Sequence, residues 1–202
     1  LCRKHGIYHI SDEAYEYFVY DDAKHVSPAS FADSERHTIS LYSLSKAYGF
    51  ASWRIGWMVI PEQLFEPIRK IQDTILICAP VISQWAAVGA MGIGKSYCDA
   101  KLRETREIRQ ILLKELNAIN DRVTVPRADG AFYLLLRVHT KMDSMKLVRR
   151  LIEEHKVAAI PGSTFGIQDR CLLRVAYGAL QKDSAAEGIG RLVCGLRNIL
   201  TN

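Results

Sequence analysis

A lysine flanked by hydroxyls and followed by an arginine is the part of this sequence best suited to chemistry. In Ser43-Leu44-Ser45-Lys46-Ala47-Tyr48-Gly49, Lys46 comes after two serines at alternate positions, and Arg54 follows it by eight residues within Trp53-Arg54-Ile55-Gly56-Trp57. A lysine amine has an ordinary pKa of about 10.4 and is a poor nucleophile near neutrality. Burial or a nearby cation lowers that pKa and allows the amine to form an imine with a carbonyl. The hydroxyls of Ser43 and Ser45 and the planar guanidinium of Arg54 are the donors a phosphate requires. The window is therefore suited to a phosphorylated aldehyde held through an imine.

Two upstream residues extend the constellation. Asp12 ends an apolar run, and Tyr15 lies three residues further on. A carboxylate facing a pyridine nitrogen keeps it protonated and strengthens the ring as an electron sink, and a phenol beside a ring hydroxyl tunes an imine. Each residue also has a simpler reading. Asp12 can cap the turn after its strand, Tyr15 and Tyr48 can be core or interface aromatics, and the serines can be turn formers. Further on, Arg174 stands in the apolar run Leu172-Leu173-Arg174-Val175-Ala176, where an unpaired charge is costly; it needs an intrachain acid or a carboxylate ligand.

The elements that must position these residues follow from period and punctuation. Ile7 to Ile10, Thr38 to Tyr42 and Arg54 to Ile60 read as short apolar strands, expected to be buried in an α/β sheet. Glu62 to Leu76 and Ile82 to Met91 carry helical spacing, and Ser96 to Asn120 reads as a long amphipathic helix bridging two lobes. Val123 to Pro126 and Ala131 to Val138 are strands around Ala128-Asp129-Gly130. Ser144 to His155 is a helix, Val157 to Ile160 and Cys171 to Ala176 are strands, and Ala185 to Leu200 is a terminal helix. A domain boundary is placed inside the long helix, giving 1–108 and 109–202.

Composition bounds the function classes. The 202 residues are 49% hydrophobic and 24% charged, which is ordinary globular composition. The net charge of +5, from 27 Lys+Arg against 22 Asp+Glu, is spread without a dense block, so no nucleic-acid partner is expected. Five cysteines without CxxC spacing read as reduced thiols of a cytoplasmic protein, and six histidines show no ligand spacing, so no metal is expected. The absence of an apolar run of about 18 residues argues against a membrane span. Leu1-Cys2-Arg3-Lys4-His5-Gly6 reads as the last turn of a helix closed by a glycine, as though the chain began partway into a larger domain.

Ser11-Asp12-Glu13-Ala14-Tyr15, Ser43 to Gly49, Trp53 to Trp57, Gly130-Ala131-Phe132-Tyr133, Pro161 to Gly166 and Leu173-Arg174-Val175 occur in this order along nearly the whole chain. Together they resemble the fold type I pyridoxal-phosphate aminotransferases of class I/II, the aspartate aminotransferase-like group. The resemblance implies the C-terminal part of a mostly parallel-sheet large domain followed by a small α/β domain. It implies transfer of an amino group from an amino acid to a 2-oxo acid in a homodimer. It implies that Lys46 forms the internal aldimine with pyridoxal 5'-phosphate and shuttles a proton, and that Asp12 pairs with the ring nitrogen. Tyr15 would bond the ring oxygen, Ser43, Ser45 and Arg54 would hold the phosphate, and Arg174 would clamp the substrate carboxylate. Gly162 and Gly166 would shape a turn beside that arginine.

Enzymes of this group carry further cofactor contacts in a preceding half, among them a Gly-rich helix N-terminus and an asparagine, with no counterpart in this chain. A piece of a longer enzyme is therefore expected in preference to a short product that needs a partner. A β-eliminating C–S lyase with the same lysine, and a non-catalytic fragment acting as a binding or oligomerisation module, are the alternatives.

Overall fold

A computed structural model describes residues 1–178 and 181–201. The chain divides into two compact units, residues 1–101 and 102–202.

The first unit holds a three-stranded sheet of β1 (His9–Asp12), β2 (Thr38–Ser43) and β3 (Gly56–Val59), in that order. A short helix, α1 (Cys2–His5), precedes it and ends at Gly6, whose φ of 62° gives the left-handed stop that a glycine adopts without strain. β1 and β2 are parallel, with Asp12 opposite Leu41, whereas β3 runs antiparallel to β2, with Gly56 opposite Ser43. The expectation of mostly parallel pairing thus holds in this unit for one of the two strand pairs. The one-turn helix α2 (Leu44–Ala47) follows β2 directly, and α3 (Phe65–Ile75), α4 (Val81–Ile93) and the start of α5 (Lys95–Asn117) complete the unit.

Two expectations for this sheet need correction. The third strand starts at Gly56 because Arg54 is left-handed, with a φ of 51°, and cannot continue a ladder. The strands are also not uniformly buried: β1 alternates between half-buried and exposed positions, and β3 is exposed along its whole length, including Trp57, Met58 and Val59. β3 is paired on one side only, so it is an edge strand of the sheet.

The second unit is built on a four-stranded antiparallel sheet in the order β4 (Val123–Thr124), β5 (Tyr133–Val138), β7 (Leu172–Ala176), β6 (Ile160–Pro161). The strand expected over Val157 to Ile160 is found only at Ile160–Pro161, because the ladder with β7 pairs just Ile160 with Arg174 and Pro161 with Leu173 and leaves residues 157–159 outside it. The continuation of α5, α6 (Ser144–His155) and α7 (Lys182–Thr201) supply the helices. Asp143 caps α6 by accepting the Lys146 N–H at 3.0 Å. The core is dense in branched aliphatics: Leu112, Leu116, Leu134, Leu136, Leu147, Leu151, Leu173 and Leu196 are all fully buried. No helix among the described residues is long and apolar enough to cross a membrane.

α6 and α7 approach closely at Gly195, where an added Cβ would lie 2.7 Å from Leu151 Cδ2. Leu151→Ala should lower the unfolding free energy of this unit by about 2–5 kcal/mol, and Gly195→Ala by about 1–3 kcal/mol. Because one change removes what the other strikes, urea titrations should show the double variant less destabilised than the sum of the single ones. Simple additivity would refute this packing.

Candidate active site

The parallel pairing of β1 and β2 brings most of the sequence-predicted site residues to one edge of the first sheet. Asp12 ends β1 and Ser43 ends β2, so both lie at carboxyl ends of neighbouring parallel strands, the edge at which α/β sheets bind ligands. Ser43 is the N-cap of α2: its Oγ accepts the Ser45 N–H at 3.0 Å and donates to Ser45 Oγ at 2.7 Å. Lys46 follows in the same turn, exposed, with Nζ 5.9 Å from the centroid of the Tyr15 ring.

Buried neighbours hold that turn in place. Leu44 and Ala47 point inward, and Tyr48 stacks on Tyr97 with centroids 5.8 Å apart and meets Tyr17 edge-on at 6.2 Å. The Cys98 thiol lies 3.8 Å from the Ala47 carbonyl as a weak donor. Burial raises the Tyr48 hydroxyl and the Cys98 thiol above their ordinary ranges, so both stay protonated and neutral behind the lysine.

Asp12 is exposed, and its Oδ1 accepts the Ala14 N–H at 3.2 Å, closing the turn that carries Tyr15. The turn-capping reading of Asp12 is therefore realised, and it leaves the second oxygen clear of that bond. Arg54 stands two residues before Gly56, the partner of Ser43, and its Nη1 donates to the Ala51 carbonyl at 2.7 Å. Gly56 is required there because a Cβ would sit 2.6 Å from the Tyr42 carbonyl.

Arg174 belongs to the second unit. It occupies the central strand β7, opposite Leu135 on one side and Ile160 on the other. Its guanidinium lies over two rings, 5.2 Å from the Tyr133 centroid and 5.3 Å from that of Phe165. Its Nε is buried with no hydrogen-bond partner among the described residues. The turn through Gly162 delivers Phe165 and closes at Gly166, left-handed with a φ of 82°.

Sequence reasoning missed the residues behind this edge. Glu13, next to Asp12, is only 4% exposed and receives bonds at 2.8 Å from His25 Nε2 and from Ser27 Oγ. Burial alone would raise its pKa. The donors at Ser27 and His25, with the Ser40 hydroxyl close by, outweigh that and hold the carboxyl below its usual range. The signal for Glu13 was present as a second acid directly after Asp12, which strand alternation sends to the opposite face.

These features can be compared with known proteins. A curated probable aspartate/prephenate aminotransferase of Aquifex aeolicus is 35% identical over 98% of this chain and 51% of its own length. An aspartate aminotransferase of Pyrococcus abyssi is 32% identical over 96% of the chain and 50% of its own length. The crystal structure of an aromatic aminotransferase from Pyrococcus horikoshii superposes with a TM-score of 0.90 at 29% identity, covering 98% of this chain and 53% of that one. The chain thus spans about half the length of the relatives it matches. The family model for aminotransferase class I and II matches residues 1–192, and the chain belongs to that family, whose members use pyridoxal phosphate.

Proposed function

We propose that this chain is part of a pyridoxal-phosphate-dependent aminotransferase that moves an amino group from an amino acid to a 2-oxo acid, with Lys46 as its catalytic residue. The observation that carries this reading is the Lys46 amine over the Tyr15 ring, on a strand edge shared with Asp12.

The donor set fits the cofactor of the family. An exposed carboxylate at Asp12 suits a pyridinium nitrogen, and the Tyr15 phenol suits a ring oxygen. The paired hydroxyls of Ser43 and Ser45, with the guanidinium of Arg54, suit a phosphate dianion. When bound, the cofactor supplies the electron sink that stabilises negative charge at the substrate α-carbon. Lys46 would hold the cofactor through its amine and, once the incoming amino acid has displaced that amine, would move a proton at the α-carbon. Arg174 recognises the α-carboxylate common to amino acids and 2-oxo acids, with Tyr133 and Phe165 limiting the directions its guanidinium can take.

Residues 1–108 are read as the C-terminal part of the cofactor domain and 109–202 as the small domain, in a cytoplasmic homodimer. The names of the relatives indicate acidic and aromatic amino acids as the donor class.

Borohydride reduction in the presence of pyridoxal phosphate should fix a label on Lys46 in preference to the other lysines, and Lys46→Ala should remove that preference, as read by peptide mass spectrometry. Equal labelling of all exposed lysines would reject the assignment. In the transaminating enzyme, Arg174→Lys should raise KM for the amino donor about tenfold or more, because the loss of a forked charged contact is worth about 1.5–3 kcal/mol. An unchanged KM would remove Arg174 from substrate recognition.

A further inference from the structure

We propose that Glu13 is a positioning residue: held by Ser27 and His25, it braces the carboxyl ends of β1 and β2, so that Asp12, Tyr15 and Lys46 keep their mutual placement. The importance of those three residues rests on the aminotransferase reading; the brace itself rests on geometry.

Asp12 and Glu13 are consecutive, yet one is exposed and the other buried. The Glu13 N–H donates to the Leu41 carbonyl at 2.9 Å, which carries the β1–β2 ladder one residue past the strand. A buried carboxylate is costly unless it is bonded, and the two donors at 2.8 Å come from residues 12 and 14 positions further along, in the irregular connection between the strands.

Ser27 is the junction. Its hydroxyl donates to Glu13, accepts the Ala29 N–H at 3.3 Å, and accepts the Tyr42 hydroxyl at 3.4 Å, so its one donor and two acceptor sites are all used. Tyr42 immediately precedes Ser43, the cap of the lysine-bearing turn, and its ring stacks on Trp57 of β3 at 5.7 Å. A continuous chain of bonds thus runs from the Asp12 turn through Glu13, Ser27 and Tyr42 to the Lys46 turn. Glu13 acts through these groups and touches no reacting atom.

A role confined to general stability and a local brace differ in which amides they protect. The Ala14 N–H, bonded to Asp12, and the Ser45 N–H, bonded to Ser43, report the two ends of the brace. In the full chain, Glu13→Gln keeps the side-chain shape but removes the charge that holds both donors. Hydrogen exchange at Ala14 and Ser45 should then rise about tenfold, the scale of one lost bond to a charged group, while amides of α4 stay unchanged. His25→Ala should also raise exchange at both sites. His25→Gln, which keeps a donor, should return it to within roughly twofold of the parent chain.

The wild-type profile should be pH-dependent in one direction. Glu13 is held below the usual carboxylate range in the folded chain. Its stabilisation is therefore present above that range and is lost as pH falls through the depressed folded value. After correction for intrinsic exchange, protection at Ser45, whose acceptor is the Ser43 hydroxyl, should show this acid step in the parent chain and none in Glu13→Gln; Ala14, whose acceptor is the Asp12 carboxylate, is scored at neutral pH only. His25 and Glu16 are the titratable groups interacting with Glu13, so the step must persist in His25→Gln.

A folded Glu13→Gln chain with unchanged exchange at Ala14 and Ser45 overturns the proposal, as does a rise shared equally by α4. Should Glu13→Gln not fold, Ser27→Ala, which cuts the same chain at its junction, is judged by the same two amides. Lys46 labelling is scored separately: exchange that behaves as expected with no preferential labelling rejects the cofactor reading and keeps the brace.

Discussion

The parallel pairing of β1 with β2 is the constraint on which the candidate site depends. An antiparallel pair would send the ends of the two strands to opposite edges, separating Asp12 from Ser43 and Lys46. Parallel strands need a crossover connection, commonly a helix that packs on the sheet and stabilises itself by its own backbone bonds. Here the connection from Glu13 to His37 contains only two three-residue 3₁₀ turns among regular helical elements, at Pro28–Ser30 and Ser34–Arg36. Local backbone turns such as Phe18 N–H to the Tyr15 carbonyl and Ala23 N–H to the Tyr20 carbonyl, the buried rings of Phe18 and Tyr20, and side-chain bonds together order it. Glu13 ties its start to His25 and Ser27 at its middle, and Ser34 adds a bond near its end, its one hydroxyl proton shared between the carbonyls of Ala29 and Phe31. The polar network and the crossover are therefore linked: the irregular connection is held in part by a buried carboxylate that lies beside the candidate site.

The two units solve the burial problem to different degrees. The second packs leucines from three helices and a sheet into a core with many fully buried side chains. The first has few, with Tyr20 and Leu44 the main ones, and carries most of the chain's exposed large apolar residues. Trp57, Met58 and Val59 on β3, Ile71 and Ile75 on α3, and Ile82, Trp85 and Val88 on α4 are all open. Apolar surface of that extent is characteristic of interaction faces. It explains why helical periodicity correctly found α3 while the usual inference, that the apolar stripe faces a core within the same unit, did not follow. Periodicity reports which residues share a face; it carries no information about what covers that face.

Other gains and losses of sequence reasoning have the same origin in range. Local signals were sufficient for the Gly6 stop, the α6 boundaries at Ser144 and His155, and the serine-capped turn that presents Lys46, because each depends on residues within a few positions. The late starts of β6 at Ile160 and of β3 after the left-handed Arg54 were not readable, since short strands exist only by virtue of their partners. The Glu13 brace joins residues 12 and 14 positions apart through a loop without periodicity. The two rings around Arg174 come from separate segments that meet only in the folded sheet.

The simple and the chemical readings of the site residues also turn out to be compatible. Ser43 caps α2 through its acceptor lone pair and directs its proton to Ser45; Asp12 closes a turn with one oxygen and presents the other. A cap is fixed by backbone geometry, so a side chain that caps cannot wander through its rotamers. Local structure thereby removes the conformational freedom that a ligand would otherwise have to remove on binding. The same logic applies to Arg174: two ring faces within about 5 Å restrict the guanidinium within a sheet where a mobile charge would be unstable. In both units the residues suited to binding are first held by the fold, and their remaining donors and acceptors are what a ligand would meet.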